Sequence, residues 1–304
     1  MKVGIFYNSI SNPKKFSNKT ALMDNFKAGV LESGDQVVEY FGSNLPTEPL
    51  DAGFVLGYTL ENNFRRKIID RLAQLNTHSV FVDSNILHYA RGEHEWHRYS
   101  IGSVYPNKGI YFFNDLDLGK WETFAKWHGV ELKPWRTQGQ HILILCQRPN
   151  GWNMFGNNQM QWLDATIKEI RKHSKRPIRV RMHPGDGSRF AQIDQINAKH
   201  RGLVQISTNL GIREDLQNCW CAVGYNSTPT TVAAIEGIPV YVQDPQHSWA
   251  ADVAFTDLAQ IESPDLPDRS SWIHKIANIH WSNQEVATGH LWRAIRGYIL
   301  SAQK

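Results

Sequence analysis

Short apolar runs alternate with polar turns in residues 178–242, and this alternation constrains the fold more than any other feature of the sequence. The order is strand, turn, strand, turn, helix, strand, with the parts 178–182, His183-Pro184-Gly185-Asp186, 220–224, Tyr225-Asn226-Ser227-Thr228, 229–236 and 238–242. Strands joined through helices in this way indicate a parallel α/β sheet. Ligands of such sheets bind outside the carboxyl ends of the strands, where helix N-termini offer N–H groups to anions. The two polar turns therefore predict a site for a phosphorylated ligand.

Two successive series of apolar runs divide the chain into two α/β units. The first series is 3–7, 36–41, 53–56, 79–82 and 110–113, and the second is 141–146, 178–182, 203–206, 220–224 and 238–242. Helical patterns separate several of these runs, whereas the segment 120–140 is polar and suits a connection between domains. The sequence therefore predicts two Rossmann-like domains, 1–138 and 139–282, and an amphipathic C-terminal helix within 283–304.

Composition and missing motifs narrow the classes of function. With 304 residues, 41% hydrophobic residues and a formal net charge of +4, the sequence predicts a folded protein rather than a polycation or a membrane protein. The first residues lack a signal-peptide pattern, and Cys146, Cys219 and Cys221 lack metal-site spacing, which together favour a reducing cytoplasm. The sequence has neither a Gly-x-Gly-x-x-Gly fingerprint nor a phosphate loop, which argues against hydride transfer and P-loop phosphoryl transfer.

The turns of the second unit carry candidate donor-binding side chains. His183, directly after a strand, can form a charge-assisted hydrogen bond to a diphosphate or compensate the charge of a leaving group. The alternative is a turn histidine that caps backbone groups. Ser227 and Thr228 begin a helix and suit phosphate binding, although one hydroxyl alone would also serve as an ordinary N-cap. Gln147 and Arg148 follow the opening strand of this unit and can reach the same ligand.

Asp83 ends the run 79–82 of the first unit and is the first choice for a general base that deprotonates an acceptor hydroxyl. The alternative is a capping carboxylate. The loop 88–99 mixes histidine, arginine, tyrosine and tryptophan, a combination that holds phosphodiester backbones and stacks exposed bases. Its histidines match no common zinc spacing. Lys14 and Lys15 add positive charge after the first strand, although a solvated surface explains such a cluster as well.

The two-unit layout and the short motifs of the second unit resemble GT-B glycosyltransferases, in particular the donor half of capsule-type enzymes. The motifs are the His-Pro turn, the Asn-Ser-Thr turn and the segment 233–240. The resemblance implies two facing Rossmann-like domains, with the acceptor side first, the nucleotide-sugar side second, and the last helix packing back on the first domain. Such enzymes often place a ribose-binding glutamate one helical turn before the glycine. Here Ala233 occupies that place, and Glu236, next to Gly237, is the candidate.

The segment Val80-Phe81-Val82-Asp83-Ser84-Asn85-Ile86-Leu87 is similar to T-even phage DNA β-glucosyltransferases, which glucosylate hydroxymethylcytosine. This resemblance implies that Asp83 is the catalytic base and that UDP-glucose is the donor. It also implies inversion at the anomeric carbon and a hydroxymethylated pyrimidine in phage DNA as acceptor. The target base would leave the stack, and the segment 89–99 with the lysines would hold the DNA backbone.

These patterns together predict a hexosyltransferase with Asp83 and His183 as catalytic residues. The predicted donor-binding residues are Gln147, Arg148, Arg181, His183, Pro184, Gly185, Asp186, Tyr225, Asn226, Ser227, Thr228 and Glu236. The predicted acceptor-binding residues are Asn8, Ser9, Lys14, Lys15, Asn85, His88, Tyr89, Arg91, Arg98 and Tyr99.

The expected partners are a UDP-sugar and DNA, without a membrane. We expect no tightly bound cofactor, with Mg²⁺ or Mn²⁺ as an optional aid. Three alternatives stay open: an acceptor that is a surface, capsular or lipid-linked saccharide, a non-catalytic module that binds nucleic acid or a sugar nucleotide, and a sugar-nucleotide epimerase.

Overall fold

The computed structural model describes residues 1–10, 17–87, 94–148, 152–209 and 211–302. Its strands are β1 (Lys2–Phe6), β2 (Gln36–Tyr40), β3 (Ala52–Leu56), β4 (His78–Asp83), β5 (Trp96–Ile101), β6 (His141–Leu145), β7 (Ile178–Arg181), β8 (Val204–Ile206), β9 (Cys219–Gly224), β10 (Val240–Val242) and β11 (His280–Ser282). Its α-helices are α1 (Ser17–Glu32), α2 (Phe64–Gln74), α3 (Lys120–His128), α4 (Gln159–His173), α5 (Arg189–Lys199), α6 (Ile212–Asp215), α7 (Thr228–Ile235), α8 (Ser270–Asn278), α9 (Asn283–Ala287) and α10 (His290–Ala302).

The chain divides into two compact units. Unit 1 comprises Met1–His128 and His274–Lys304, and unit 2 comprises Gly129–Ile273. The sequence-based boundaries at 138 and 282 both lie several residues after this division. The polar stretch at the start of unit 2 is hydrogen-bonded to the rest of that unit. Lys133 N donates to Ile235 O, and Arg136 N donates to Gly237 O. The backbone of this stretch therefore belongs to unit 2 before the first strand of that unit begins.

Unit 1 contains a six-stranded sheet in the order β11-β5-β4-β3-β1-β2. The strands β1 to β4 are parallel, whereas β5 runs antiparallel to β4, and β11 runs antiparallel to β5. One face of this sheet packs with helices α1 and α10 in a core that contains Phe26, Phe54 and Trp292. The rings of Phe26 and Phe54 stack with their centroids 3.9 Å apart. Residues from both ends of the chain therefore share one hydrophobic core.

Four sequence-based assignments in unit 1 differ from the structure. The segment 120–140, predicted as a connection between domains, begins with helix α3, which buries Phe124. The predicted strand 110–113 is limited to an isolated bridge between Ile110 and Ile101. The predicted loop 88–99 ends in β5, whose Arg98 is neutralised by Asp83 on β4 and can therefore lie inside a sheet. The C-terminal segment was predicted as one helix, but it forms two, α9 and α10. Gly289 between them has a φ of +77°, a value outside the α-helical range, so the helix is interrupted there.

Unit 2 contains a five-stranded parallel sheet in the order β10-β9-β6-β7-β8. The chain moves from β6 outward to β7 and β8, then returns to the other side of β6 for β9 and β10. This reversal is the topological switch point of the Rossmann order, and it lies between β6 and β9. Helices α4 and α5 bury their apolar faces in the core of this unit, through Leu163, Ile167 and Ile196.

None of the described helices is long and apolar enough to cross a lipid bilayer. Cys146, Cys219 and Cys221 are buried free thiols. Burial raises the pKa of Cys146 and of Cys219 to about 12, so both stay protonated at neutral pH. The three cysteines therefore act as small apolar core residues.

Candidate functional site

The turns after β6 and β9 meet at the switch point of unit 2. Gln147 Nε2 donates to Asn226 Oδ1 over 2.8 Å, and both side chains are buried. Asn226 Nδ2 in turn donates to Asp244 Oδ2 over 3.1 Å and to the carbonyl oxygen of Asn153 over 3.0 Å. These hydrogen bonds join three strand ends, because Asp244 follows β10. The turns after β6 and β9 and the residue after β10 therefore form one fixed polar platform.

The helix that begins at this platform starts with two hydroxyls left unpaired. Ser227 is the N-cap residue of α7, yet its side chain makes no capping hydrogen bond. Ser227 Oγ and Thr231 Oγ1 are both buried and have no hydrogen-bond partner among the described residues. Thr230 differs, since its hydroxyl donates to Ser227 O over 2.7 Å. A buried hydroxyl without a partner costs about 1–3 kcal/mol, which a ligand that accepts or donates there would recover.

Arg148 and His183 come together over the turn after β7. His183 Nδ1 accepts a hydrogen bond from Gly185 N over 3.0 Å, which fixes the ring against its own turn. A Cβ at Gly185 would lie 2.7 Å from Arg148 Nη2 and 3.2 Å from His183 Cε1. Glycine therefore allows the guanidinium to lie against the turn backbone. The result is a pair of cation-capable side chains at the carboxyl edge of β6 and β7.

A cavity of about 590 Å³ lies beside the platform, entirely within unit 2. Tyr225 OH accepts from Asn157 Nδ2 over 2.7 Å at its wall. Trp162 Nε1, also in the wall, is buried and has no partner in the described part of the chain. Asp244 completes the wall and contacts His247 Nδ1 at 2.8 Å. Cavities of this size hold nucleotide-sized ligands.

Sequence reasoning missed Asn157, Trp162 and Asp244. Asp244 could have been predicted from the sequence, because it follows the apolar strand β10 by two residues, at the same carboxyl edge of the sheet as the predicted turns. Trp162 offered no signal, since a tryptophan inside an amphipathic helix is typical of a core residue.

Two predicted donor residues, Arg181 and Asp186, form hydrogen bonds within unit 2 instead. Arg181 Nη1 binds Asp215 Oδ2 at 2.6 Å and also donates to the carbonyl oxygens of Asn209 and Gly211. Asp186 is buried and accepts hydrogen bonds from Ser188 N and Gln192 Nε2. Both side chains thus hold local structure, and we do not retain them as diphosphate contacts.

Glu236 lies at the wrong end of its helix for donor binding. It is the C-cap residue of α7, whose eight residues span about 12 Å from the Ser227 end. Its carboxylate instead pairs with Lys133 at the amino edge of the sheet. The sequence reading placed it near the donor because it precedes Gly237, but the direction of the helix separates the two ends.

Asp83 lies at the carboxyl end of β4 in unit 1. Arg98 Nη2 binds its Oδ2 at 2.6 Å, and Ser84 N donates to its Oδ1 over 2.8 Å. The Asp83 side chain keeps 33% of its surface exposed, whereas the Arg98 side chain is buried. Arg98 also donates to Ser84 O over 2.7 Å, so it fixes both the carboxylate and the turn after it. Arg98 is therefore a positioning residue for Asp83 rather than a contact to an acceptor.

His97 lies beside this pair and was missed as an individual residue. Burial, with a smaller effect of His94, lowers the pKa of His97 to about 4, although Asp83 acts in the opposite direction. The ring is therefore neutral at pH 7. Its Nδ1 is buried without a partner among the residues described.

Other predicted acceptor residues are used by the fold. Ser9 Oγ donates to Phe6 O and accepts from Leu56 N. Asn85 is buried against His128, and Tyr99 is fully buried in the core of unit 1. We do not retain these three as acceptor contacts. Asn8 Nδ2 donates to Asn44 O, and its Oδ1 is buried without a partner among the described residues. The remaining predicted acceptor residues are outside the described residues: Lys14, Lys15, His88, Tyr89 and Arg91.

Within the described ranges, no group of three or more His, Cys, Asp or Glu side chains is arranged to hold an ion.

No family profile matches the sequence, and no curated protein sequence matches it either. Comparison of structures gives clear similarities. The beta Kdo 2,7 transferase of Thermosulfurimonas dismutans KpsC has a TM-score of 0.56 at 12% identity, with 100% of both chains covered. The beta Kdo 2,4 transferase of the same KpsC has a TM-score of 0.55 at 13% identity, covering 91% of this chain and 89% of that one. These similarities confirm the predicted fold class: the chain has a GT-B type fold of two Rossmann-like units, with its C-terminal helices in the first unit.

Proposed function

We propose that this protein is a glycosyltransferase that takes a sugar from a nucleotide donor and transfers it to a hydroxyl of a saccharide. The platform of Gln147 and Asn226 carries the proposal, since it fixes the unpaired Ser227 hydroxyl at the start of α7 beside a cavity of nucleotide size. The two similar structures are both named as Kdo transferases, which favours a saccharide acceptor.

The donor occupies the platform in unit 2. Its diphosphate contacts Ser227, Thr228 and the first N–H groups of α7, where the helix dipole favours an anion. Arg148 supplies positive charge from the other side of the switch point, and His183, whose Nδ1 accepts from Gly185 N, offers its Nε2–H as a hydrogen-bond donor. The nucleoside fills the cavity that Tyr225, Trp162 and Asp244 line. A UDP-hexose remains our proposed donor.

Asp83 is the proposed general base. It takes the proton of the acceptor hydroxyl as the acceptor oxygen forms a bond to the anomeric carbon. The bond from that carbon to the diphosphate oxygen breaks, and its electron pair leaves with the diphosphate. Arg148 and His183 compensate the charge that develops there. Attack from the face opposite the leaving group gives inversion at the anomeric carbon.

A hydroxymethylated pyrimidine in DNA is the second acceptor to be tested. The basic and aromatic side chains that favoured DNA include Arg98 and Tyr99, which are buried, and five residues outside the described ranges. The geometry therefore adds nothing to the DNA reading, and we keep it as an outcome of the experiment.

The experiment offers the protein a panel of UDP-sugars and a nucleotide-activated Kdo together with either capsular oligosaccharides or hydroxymethylcytosine-containing DNA. Mass spectrometry then detects the sugar increment on each acceptor. We expect an increment on a saccharide. Asp83→Asn should reduce turnover at least about 100-fold while donor affinity is kept. The matched control is Asp70→Asn, which alters an exposed carboxylate paired with Arg66 on α2.

The other outcomes are equally specific. An increment on the DNA base alone would move the acceptor to DNA. Tight nucleotide binding without transfer would indicate a binding module, and conversion of the sugar nucleotide without any acceptor would indicate an epimerase. Absence of both nucleotide binding and transfer would overturn the proposal.

A further inference from the structure

Unit 1 contains a second cavity, of about 460 Å³, that the proposed donor site does not use. It lies between α3, the start of β5, and the segment where β11 passes into α9. Six of its lining residues matter here: Glu95, Trp96, Lys120, Trp127, Asn283 and Glu285. All six belong to unit 1.

Two tryptophans give the cavity aromatic surface. Trp127 is 51% exposed, although a large aromatic side chain on α3 would ordinarily pack inward. Trp96 is buried and packs edge-on against Phe124, with ring centroids 5.4 Å apart. Trp96, with Lys120 Nζ 5.9 Å from its ring centroid, therefore supports the wall, and Trp127 supplies the accessible aromatic surface. Such flat apolar surfaces suit the C–H faces of a sugar ring.

Lys120 is immobilised in the same wall. Its Nζ lies 3.9 Å from the centroid of the Trp281 ring and 3.3 Å from Glu285 Oε1. The ammonium group is thus already neutralised by a carboxylate and an aromatic face. A bound anion would have to compete with both.

Asn283 presents an acceptor that the fold leaves unused. Its Nδ2 donates to His94 O over 3.1 Å and to Glu95 Oε2 over 3.2 Å, which fixes the orientation of the amide. Its Oδ1 is buried and has no partner among the residues that the structure describes. A hydroxyl group of a ligand would supply the missing donor.

We propose that this cavity is a binding site for a neutral saccharide. Aromatic surface, a fixed amide oxygen and carboxylates that accept hydrogen bonds from hydroxyl groups form the chemistry that recognises sugar rings. The lining carries three carboxylates, those of Glu95, Asp117 and Glu285, against the single ammonium of Lys120, so an acidic sugar is disfavoured. The proposal goes beyond the proposed function, since it requires neither a nucleotide donor nor a transfer reaction.

The site lies on the same sheet edge as Asp83. Trp96 is two residues from Arg98 along β5, about 7 Å, and Arg98 binds Asp83. A saccharide bound in this cavity would therefore lie near Asp83 without contacting its carboxylate.

The test measures binding of maltotriose, cellotriose and N-acetylchitotriose to the full chain by saturation-transfer NMR and calorimetry, with no nucleotide present. Trigalacturonic acid is the acidic comparator. We expect at least one neutral trisaccharide to bind more tightly than the acidic one. Trp127→Ala should weaken that binding about tenfold or more, and Trp127→Phe should retain most of it.

The matched control is Phe112→Ala, which removes another exposed aromatic side chain of unit 1 and should leave binding unchanged. Thermal unfolding of each variant verifies that it folds. The proposal is overturned if no neutral trisaccharide binds at millimolar concentration, if the acidic sugar binds best, or if Trp127→Ala binds as the unaltered protein does. Nucleotide affinity, measured separately, reports on the donor site, so failure of one proposal is distinguishable from failure of the other.

Discussion

A substitution at Ser227 should weaken ligand binding without lowering the stability of the protein. An N-cap serine replaced by alanine usually costs about 1 kcal/mol, but here the hydroxyl makes no capping hydrogen bond. We expect Ser227→Ala to raise the free energy of unfolding by up to about 1–3 kcal/mol, because it removes a buried hydroxyl without a partner, and to weaken nucleoside diphosphate binding about tenfold. Denaturant unfolding and calorimetry provide the two measurements.

Thr230 is the matched control for Ser227 on the same helix turn. Its hydroxyl is buried and donates to Ser227 O, so Thr230→Val should lower the free energy of unfolding by about 1 kcal/mol. Nucleotide affinity should not change, because this hydroxyl serves the helix and not a ligand. If both variants affected affinity alike, the special role of Ser227 would be lost.

His97 should make stability depend on pH. The unfolded chain binds a proton on this ring below its ordinary pKa of 6.5, whereas the folded protein does so only below about 4. Stability is therefore complete above pH 6.5 and falls as the pH drops toward 4. At pH 5 the loss from this residue should be about 2 kcal/mol. Burial lowers the pKa of His280 as well, which adds a loss in the same direction.

Thermal unfolding of His97→Gln at pH 7 and pH 5 measures the contribution of His97. The variant should lose less stability between the two pH values than the unaltered protein. A half-buried histidine on β4, His78, provides the control, and His78→Gln should keep the full pH dependence. Equal slopes for all three proteins would contradict the assignment to His97.

For single residues, the sequence predicted where the candidate side chains lie better than which groups they contact. His183, Ser227 and Asp83 lie at strand ends as expected, because the carboxyl edge of a parallel sheet collects polar residues. Their partners could not be predicted, since the pairs Gln147 with Asn226 and Arg181 with Asp215 join residues far apart in sequence. Whether an arginine contacts a ligand or a buried aspartate depends on those partners.

The packing of α1 against α9 is the element-scale feature most open to test. A Cβ at Gly29 would lie 2.1 Å from Val286 O, which is backbone and cannot yield cheaply. Gly29→Ala should therefore force the two helices apart and lower the free energy of unfolding by about 3 kcal/mol, in the range of overpacked cores. Guanidinium unfolding measures this change.

A second glycine provides the opposite expectation. Gly297 lies on the exposed side of α10, and a Cβ there meets nothing within 4 Å. Gly297→Ala should raise the free energy of unfolding by about 0.5–1 kcal/mol, because alanine favours a helix. A destabilising Gly297→Ala would show that helix propensity does not control this position.

The strands that sequence analysis missed are the antiparallel ones, β5 and β11. The parallel strands β1, β3, β6 and β9 are almost wholly apolar, since helices or loops cover both faces, and they were found. β5 reads Trp-His-Arg-Tyr-Ser-Ile, and β11 is only three residues long, so neither shows a continuous apolar run. Their placement depends on pairing with each other and with β4, which the local sequence does not encode.

Trp292 tests whether the two units respond independently. It is 1% exposed in the core of unit 1, and its Nε1 donates to Asp35 Oδ2 over 2.7 Å. Trp292→Ala should destabilise unit 1 by about 3–5 kcal/mol. Hydrogen exchange followed by mass spectrometry should show faster exchange in Met1–His128, with exchange in Gly129–Ile273 unchanged. Faster exchange throughout the chain would instead indicate one cooperative molecule.

Unit 1 is made of two separate parts of the sequence, so its core is complete only after the ribosome has translated all of unit 2. Phe54 of β3 and Tyr99 of β5 belong to the same hydrophobic core as Trp292 and Ile295 and emerge early. Trp292 and Ile295 are translated only after the whole of Gly129–Ile273. At roughly 5–20 residues per second, the wait is on the order of ten seconds. Unit 2 therefore has all its residues available first, although it comes second along the chain. During translation the first unit exposes apolar strands because its core is incomplete. We therefore expect a chaperone that recognises such strands to bind it.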